Sequence, residues 1–291
     1  PYFEEVSDYF GKDHKHPLPL FFSHKKPWKN YHGYLMDAAM YTFNGDTLVK
    51  IASNKNISWG EKDYITELLP LINSFSKTTK FRQFFFKHQP YYKGLTDLLQ
   101  RQASLMPQWT WLEQKSTVHY NQCFVLFSPL INGRHATHHL EFQGKPSIFI
   151  YVGPPITETT LCKSLIEAQC TRMLFTELDH NYVNPVSDQF EKQINQLIKR
   201  RKKWARAGTG YSSDIAIFNE YMTWAVYLLY ANERFDDETF HQTEKSIIYQ
   251  MTSLRGFYQF ESFYSDLKMV YTTNMTLDEL YTHYFQKKTD P

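Results

Sequence analysis

The chain has 291 residues, of which 32 are Lys or Arg and 30 are Asp or Glu, so its formal net charge is only +2. This small charge excludes a general affinity for nucleic acid, which depends on cations that neutralise phosphates. Phe, Trp and Tyr make up 17% of the chain, which favours a thick folded core over disorder. No apolar run approaches the roughly 20 residues of a transmembrane helix, and no signal peptide is recognisable. The three cysteines lack Cys-x-x-Cys spacing, which predicts neither a disulfide framework nor a cysteine zinc site.

The N-terminal part of the chain shows few regular patterns before residue 58. Its prolines predict mostly loops over the first 50 or so residues, with one strand over 46–52. Ser58 and Glu61 form a capping box, which predicts that a helix begins there. A second helical stretch is predicted over about 80–106, interrupted at Pro90.

Three short segments in the middle of the chain predict strands. Residues 122–127 and 147–152 are apolar runs bounded by turn residues. Residues 138–142 form a third strand, joined to the last one by a turn that contains Gly144. The short connection predicts that these two strands are neighbours in one sheet.

The order of these patterns predicts an α+β fold that is mostly helical, with a small mixed sheet before the helix that carries the candidate site. Residues 1–115 are assigned to an N-terminal, mostly helical region packed on the core. Residues 116–291 are assigned to the region that carries the sheet and the site. The two regions are expected to form one compact unit.

The longest helical patterns lie in the C-terminal half. One includes residues 161–180 and is predicted to end at Pro185. Ser213 caps another, over 214–229, which is apolar nearly all round and therefore predicted to be buried. Glu220 lies inside it, and a buried carboxylate must be paired, protonated or bound to a cation. Further helices are predicted near 187–204, 239–254, 257–271 and 277–286.

Residues 175–185 contain most of the zinc-binding helix motif His-Glu-x-x-His, in which two imidazoles bind zinc and the Glu acts as general base. Glu177 and His180 occupy two of these positions, and Thr176 stands at the position of the first His. On a helix Thr176 and His180 point about 40° apart, close enough to share one ion. A Thr hydroxyl is a poor substitute for imidazole, and one lost ligand costs roughly 3 kcal/mol of zinc binding. We therefore expect zinc binding that is weak or absent.

The chain resembles the gluzincin branch of the zincin metallopeptidases, and more closely a bacterial family of uncharacterised zincin-like proteins known as domain of unknown function family 4932. The likeness covers about residues 120–230 and rests on the segments 177–185, 219–221 and 128–130. It implies a zincin-like fold with Glu177 as general base, His180 as second zinc ligand and Glu220 as third ligand. It also favours, without establishing, an extracytoplasmic location in a bacterium, in the periplasm or at the cell surface. Thr176 is the departure from the family pattern.

Other side chains are auxiliary candidates. Asp179 could lean toward the metal, although a solvated or capping role is the simpler interpretation. In a zincin arrangement His135, His138 and His139 lie on or beside a strand that edges the cleft, where one of them could be a replacement ligand, although surface histidines are commoner than ligands. Tyr211 or Tyr221 could stabilise an oxyanion as in related peptidases, although core packing is the simpler interpretation for both.

Three hypotheses for function follow from these observations. The first is an active zinc peptidase with a replacement ligand, in which Glu177 activates the zinc-bound water. The second, favoured by the missing His, is a pseudo-enzyme that keeps the fold and binds a peptide, protein or glycan. In the third, Glu177, His180 and Glu220 form only a structural polar network. We predict a zincin-like metallopeptidase homologue that is inactive or impaired as a hydrolase, with a peptide or protein as partner.

Overall fold

The computed structural model describes residues 2–24, 31–51, 64–131, 133–157 and 160–289. The predicted α+β class is confirmed, because most of these residues are helical and the strands form one two-stranded and one three-stranded sheet. The predicted capping box at Ser58 and Glu61 lies outside the described residues.

The helices are α1 (Tyr2–Phe10), α2 (Pro17–His24), α3 (Tyr31–Ala38), α4 (Leu69–Thr79), α5 (Phe81–Lys87), α6 (Gln89–Gln102), α7 (Leu105–Lys115), α8 (Lys163–Gln189), α9 (Glu191–Leu197), α10 (Arg201–Trp204), α11 (Asp214–Arg234), α12 (Asp237–Tyr249), α13 (Phe260–Val270) and α14 (Leu277–Thr289). The strands are β1 (Tyr41–Asn44), β2 (Thr47–Lys50), β3 (Gln122–Phe127), β4 (Ala136–Phe142) and β5 (Lys145–Val152).

The chain divides into two compact units. Unit 1 consists of Pro1–Leu98 and Tyr120–Pro154, and unit 2 of Leu99–His119 and Pro155–Pro291. The sequence-based boundary between residues 115 and 116 therefore falls inside the first segment of unit 2. The three-stranded sheet groups with the N-terminal elements, and the long C-terminal helices form the other unit.

The three-stranded sheet of unit 1 has the order β3-β5-β4, with β3 parallel and β4 antiparallel to β5. All three strands were predicted from the apolar segments, and each is confirmed. Gln143 and Gly144 both have positive φ, at 53° and 75°, which is the backbone that a two-residue hairpin turn requires. Strand β5 is central and its last six residues are buried, which explains why this segment reads as a continuous apolar run.

The N-terminal residues are more regular than the sequence predicts, since α1, α2 and α3 occupy much of a region expected to be loops. Pro17 and Pro19 lie in the first turn of α2, where a missing N–H costs no helical hydrogen bond. These prolines therefore start a helix and do not break one. The strand predicted over 46–52 corresponds to β2, which pairs with β1 in an antiparallel hairpin.

Unit 2 is built around α8 and α11, which have 27 and 21 residues. Their contacts run in opposite order along the two helices, from Ala168 with Tyr227 to His180 with Glu220, so the helices are antiparallel. The predicted cap of α11 is confirmed, because the Ser213 hydroxyl accepts a hydrogen bond from an N–H of the first turn.

Two helix predictions in this unit are wrong. Helix α8 does not end at Pro185 but continues to Gln189, because a proline removes only one N–H donor and the packing of a long buried helix outweighs its cost of about 3 kcal/mol. The single helix expected over 187–204 is instead α9 and α10, separated by three residues.

Helix α12 is followed by a π-helical turn, Gln250–Arg255, which ends at Gly256. Gly256 has a φ of 77°, and a Cβ at this position would lie 2.7 Å from Cβ of Arg206. Only glycine fits there without strain. The turn positions Arg255, the last of its residues, in the site described next.

Candidate functional site

One face of α8 carries a row of polar side chains at four-residue spacing. Arg172, Thr176, His180 and Asn184 follow one another along this face, with Glu177 beside them. Residues four apart on a helix lie one above the other, so the row is a direct result of the spacing. The predicted base and the predicted ligand of α8 therefore share one face.

Helix α11 and the π-helical turn complete the site. Glu220 and Trp224, also four residues apart, face the row on α8. Arg255 reaches both of them, with its guanidinium 2.7 Å from Glu220 Oε2 and 4.7 Å from the ring centre of Trp224. We call Arg172, Glu177, His180, Glu220 and Arg255 the charged cluster.

His180 lies between two acceptor oxygens. Its Nε2 is 3.4 Å from Glu220 Oε1, and its Nδ1 is 3.2 Å from the side-chain oxygen of Asn184. Desolvation lowers the pKa of His180, but the hydrogen bond and the negative charge of Glu220 outweigh it and raise that pKa above 6.5. Because a protonated imidazole donates from both nitrogens, this arrangement stabilises the charged ring.

Glu220 is a carboxylate held between the imidazole of His180 and the guanidinium of Arg255. It is only 7% exposed, yet one oxygen faces His180 and the other accepts a hydrogen bond from Nη2 of Arg255. Desolvation alone would raise its pKa, but His180 and Arg255 together lower that pKa to about 2. The same Nη2 donates to the Tyr211 hydroxyl at 2.9 Å. The sequence predicts that a buried Glu220 must have a partner, and His180 and Arg255 are its partners.

Glu177 has a different environment from Glu220. Its side chain is half-buried, and no hydrogen bond to its carboxylate is found among the residues that the structure describes. Desolvation and the charge of Glu220 raise the pKa of Glu177 to about 7, against a smaller lowering by His180 and Arg255. Near neutral pH this carboxyl group exchanges a proton, as a general acid or base must.

Thr176, which stands at the position of the first His in the predicted motif, hydrogen-bonds within its own helix. Its side chain is buried, and its hydroxyl donates to the carbonyl oxygen of Arg172 at 3.0 Å, on its own helix. This back-bonding is common for a Thr inside a helix. The hydroxyl is thereby directed along α8 and not toward His180.

The arrangement does not fit a zinc ion. Across the described ranges, no three His, Cys, Asp or Glu side chains come together in a group that could hold a metal. A catalytic zinc needs three protein ligands and an open position, whereas here one oxygen of Glu220 is bound by the Arg255 guanidinium and Thr176 is bonded to its own helix. The guanidinium of Arg255 thus binds the carboxylate oxygen that a metal ion would need as a ligand.

Asp179 contradicts the expectation of a solvated or capping role. It is completely buried, and neither carboxyl oxygen has a hydrogen-bond partner within the described part of the chain. Desolvation, with the charges of Glu177 and Glu220, raises the pKa of Asp179 well above its usual value. Burial therefore disfavours the ionised form of Asp179, because an unpaired buried carboxylate would cost several kcal/mol.

The auxiliary histidines lie in unit 1, where His138 and His139 pack against aromatic rings. His138 is 2% exposed and stacks on Phe149 and Tyr151, with ring centres 5.3 and 5.6 Å away. His139 is half-buried, and its ring contacts Tyr120 at 5.5 Å. Both contacts are those of packed aromatic side chains.

Tyr221 is also a packing residue, as its simpler interpretation predicts. It is fully buried, and its hydroxyl donates to the carbonyl oxygen of Trp204 at 2.6 Å and accepts from the N–H of Gln259 at 3.1 Å. With both roles filled, the hydroxyl is not available to an oxyanion. Tyr211, by contrast, contacts the charged cluster through Arg255.

Sequence reasoning missed Arg172, Trp224 and Arg255. Arg172 and Trp224 could have been found, because each lies four residues from a candidate on its own helix. Arg255 gives no such signal, since it is 35 residues from Glu220 and reaches it only through the fold.

Among the helices that the structure describes, none is both long and apolar enough to cross a bilayer. No family model matches the chain, and no curated protein or solved structure is significantly similar to it.

Proposed function

We propose that the chain is a zincin-like protein without a working zinc site, and that its charged cluster binds a peptide or protein segment without hydrolysing it. The observation that carries the proposal is the ion pair between Arg255 and Glu220, at 2.7 Å. In the resemblance described above, Glu220 corresponds to a zinc ligand. Here a guanidinium supplies the positive charge that a buried carboxylate needs.

The unfilled hydrogen-bonding capacity of the cluster favours binding. The carboxyl group of Glu177 and the guanidinium of Arg172 are half-buried, and neither has a hydrogen bond or ion pair within the described ranges. Polar groups shielded from bulk water cost free energy until a partner satisfies them. A peptide supplies both kinds of partner, through its N–H groups and its carbonyl or carboxylate oxygens.

A hydrolytic function has one observation in its favour, the pKa of Glu177 at about 7. That value suits a general base at neutral pH. A base alone does not activate water for attack on an amide, however, and the group that would polarise the carbonyl is the metal that these residues do not fit. Binding is therefore the function that the cluster supports best.

Zinc stoichiometry tests the proposal directly. The protein is equilibrated with zinc, desalted and measured by elemental analysis beside a His180→Ala control. We expect no more zinc in the wild-type protein than in the control. About one zinc per chain, lost in His180→Ala, would overturn the proposal, as would peptide hydrolysis that disappears in Glu177→Gln.

A further inference from the structure

Arg172 is a cation that the fold leaves without an acceptor. Its half-buried guanidinium has neither a hydrogen bond nor an ion pair with any described residue, although Glu177 is close enough to interact with its charge. Desolvation lowers the pKa of Arg172, so the surrounding protein disfavours its charge. None of its nitrogens is among the completely buried atoms that lack a partner, so the donors are shielded but not sealed off from a ligand.

Trp224 holds this guanidinium in place. The guanidinium of Arg172 lies 4.7 Å from the ring centre of Trp224, the same distance as that of Arg255. Trp224 is only 6% exposed and belongs to the buried helix α11. A guanidinium stacked on a fixed ring keeps its planar fork of donors oriented and loses little side-chain entropy when it binds an anion.

The two arginines on Trp224 differ in what they have already bound. Nη2 of Arg255 is engaged by Glu220 and Tyr211, and Nη1 donates to the sulfur of Met251 at 3.4 Å. Its positive charge is balanced by Glu220. The donors of Arg172 have no such partners, so Arg172 is the member of the pair that can take a ligand.

We propose that Arg172, supported on Trp224, binds a carboxylate of the peptide ligand, either its C-terminal carboxylate or an acidic side chain. This inference rests on the proposed function, because it assigns the ligand of the same cluster. A carboxylate matches the fork of one guanidinium with two parallel hydrogen bonds. A phosphate dianion fits less well, because Glu177 is close enough to Arg172 to interact electrostatically with it, and an ionised Glu177 repels a second negative charge more strongly than a single one.

The test uses N-acetylalanine as a minimal carboxylate, N-acetylalanine amide as its neutral counterpart and inorganic phosphate as the competing anion. Binding is followed by NMR on the arginine Nε–H signals, with Arg172→Gln, Arg172→Lys and the matched control Arg234→Gln. Arg234 is a suitable control because it is also a ring-stacked arginine of unit 2, at 5.8 Å from Phe235, and pairs with Glu167.

We expect saturable binding of N-acetylalanine, at least tenfold weaker in Arg172→Gln, intermediate in Arg172→Lys and unchanged in Arg234→Gln. We expect the amide to bind at least tenfold more weakly than the acid. Equal binding of acid and amide, no loss in Arg172→Gln, or tighter binding of phosphate would overturn the inference. If Arg172→Gln does not fold, the Arg172 Nε–H signal of the wild-type protein is followed during titration with N-acetylalanine. A saturable shift of this signal supports the inference, and no shift overturns it.

The two proposals fail in different ways. Retained zinc with intact carboxylate binding overturns the proposed function and leaves Arg172 as an anion site. No retained zinc and no carboxylate binding overturns only the inference about Arg172.

Discussion

Two shielded histidines in the two units of the molecule have opposite electrostatic environments. In unit 1, His138 on β4 stacks between Phe149 and Tyr151 with no hydrogen-bond partner in the described chain for either nitrogen, and burial lowers its pKa to about 4. In unit 2, His180 has an acceptor oxygen beside each nitrogen, and Glu220 raises its pKa. The difference shows that the partners of a histidine, more than its burial, decide whether it carries charge.

Arg255 pairs with Glu220, the carboxylate that raises the pKa of His180. Replacement by methionine keeps much of the side-chain volume but removes the guanidinium that pairs with Glu220, which is only 7% exposed. Breaking a shielded ion pair from one side costs about 3 kcal/mol. We expect Arg255→Met to lose that much free energy of unfolding in urea and to raise the pKa of Glu220.

The matched control for this change is Arg234→Met, which removes a more exposed pair with Glu167 at 3.2 Å. Exposed pairs contribute less than about 1 kcal/mol. Equal losses in Arg255→Met and Arg234→Met would show that the charged cluster is not electrostatically special.

The dependence of protein stability on pH tests whether His138 is neutral in the folded protein. The pKa of His138 is lowered from 6.5 to about 4 on folding. Between these two pH values, His138 is protonated in the unfolded chain and neutral in the folded chain. The stability it contributes is therefore present above pH 6.5 and lost as the pH falls toward 4. Between pH 7 and pH 4.5 this loss is roughly 2 kcal/mol. We expect His138→Leu to be less sensitive to acid than the wild-type protein by this amount.

The measurement is urea unfolding of both proteins at pH 7 and pH 4.5, with NMR titration of the histidine ring protons. His180 has the opposite sign, because its raised pKa gives stability that is present below pH 6.5 and is lost as the pH rises through the folded value. Identical pH dependence in the wild-type protein and His138→Leu would contradict the assignment of His138 as a neutral packing residue.

Some parts of the molecule can be predicted from the sequence and others cannot. Strands β3, β4 and β5 and helix α11 were predictable because their signals are local: apolar runs, turn residues and a Ser cap. The loops expected at the N-terminus were wrong because prolines both start and end helices. Position in the helix, which the sequence does not state, decides between the two.

The candidate site divides in the same way. Glu177 and His180 could be placed on one face of α8 from spacing alone, and Glu220 could be recognised as a carboxylate that needs a partner. The identity of that partner could not be predicted, because Arg255 comes from a π-helical turn that is distant in sequence. Likewise, the sequence does not show that His138 packs on aromatic rings whereas His180 is hydrogen-bonded.

Of the substitutions considered, the one at Thr176 is expected to have the smallest effect on stability. Its hydroxyl bonds to the carbonyl oxygen of Arg172 on its own helix, an acceptor that α8 already uses in its backbone ladder. Thr176→Val keeps the shape and removes this extra bond, so the free energy of unfolding should change by less than about 1 kcal/mol. A metal ligand at this position would behave differently, because its loss would change the titration of His180 and Glu220. We therefore expect the ring-proton titration of His180 to be the same in Thr176→Val as in the wild-type protein. A shifted titration would show that the Thr176 hydroxyl acts on His180 or Glu220.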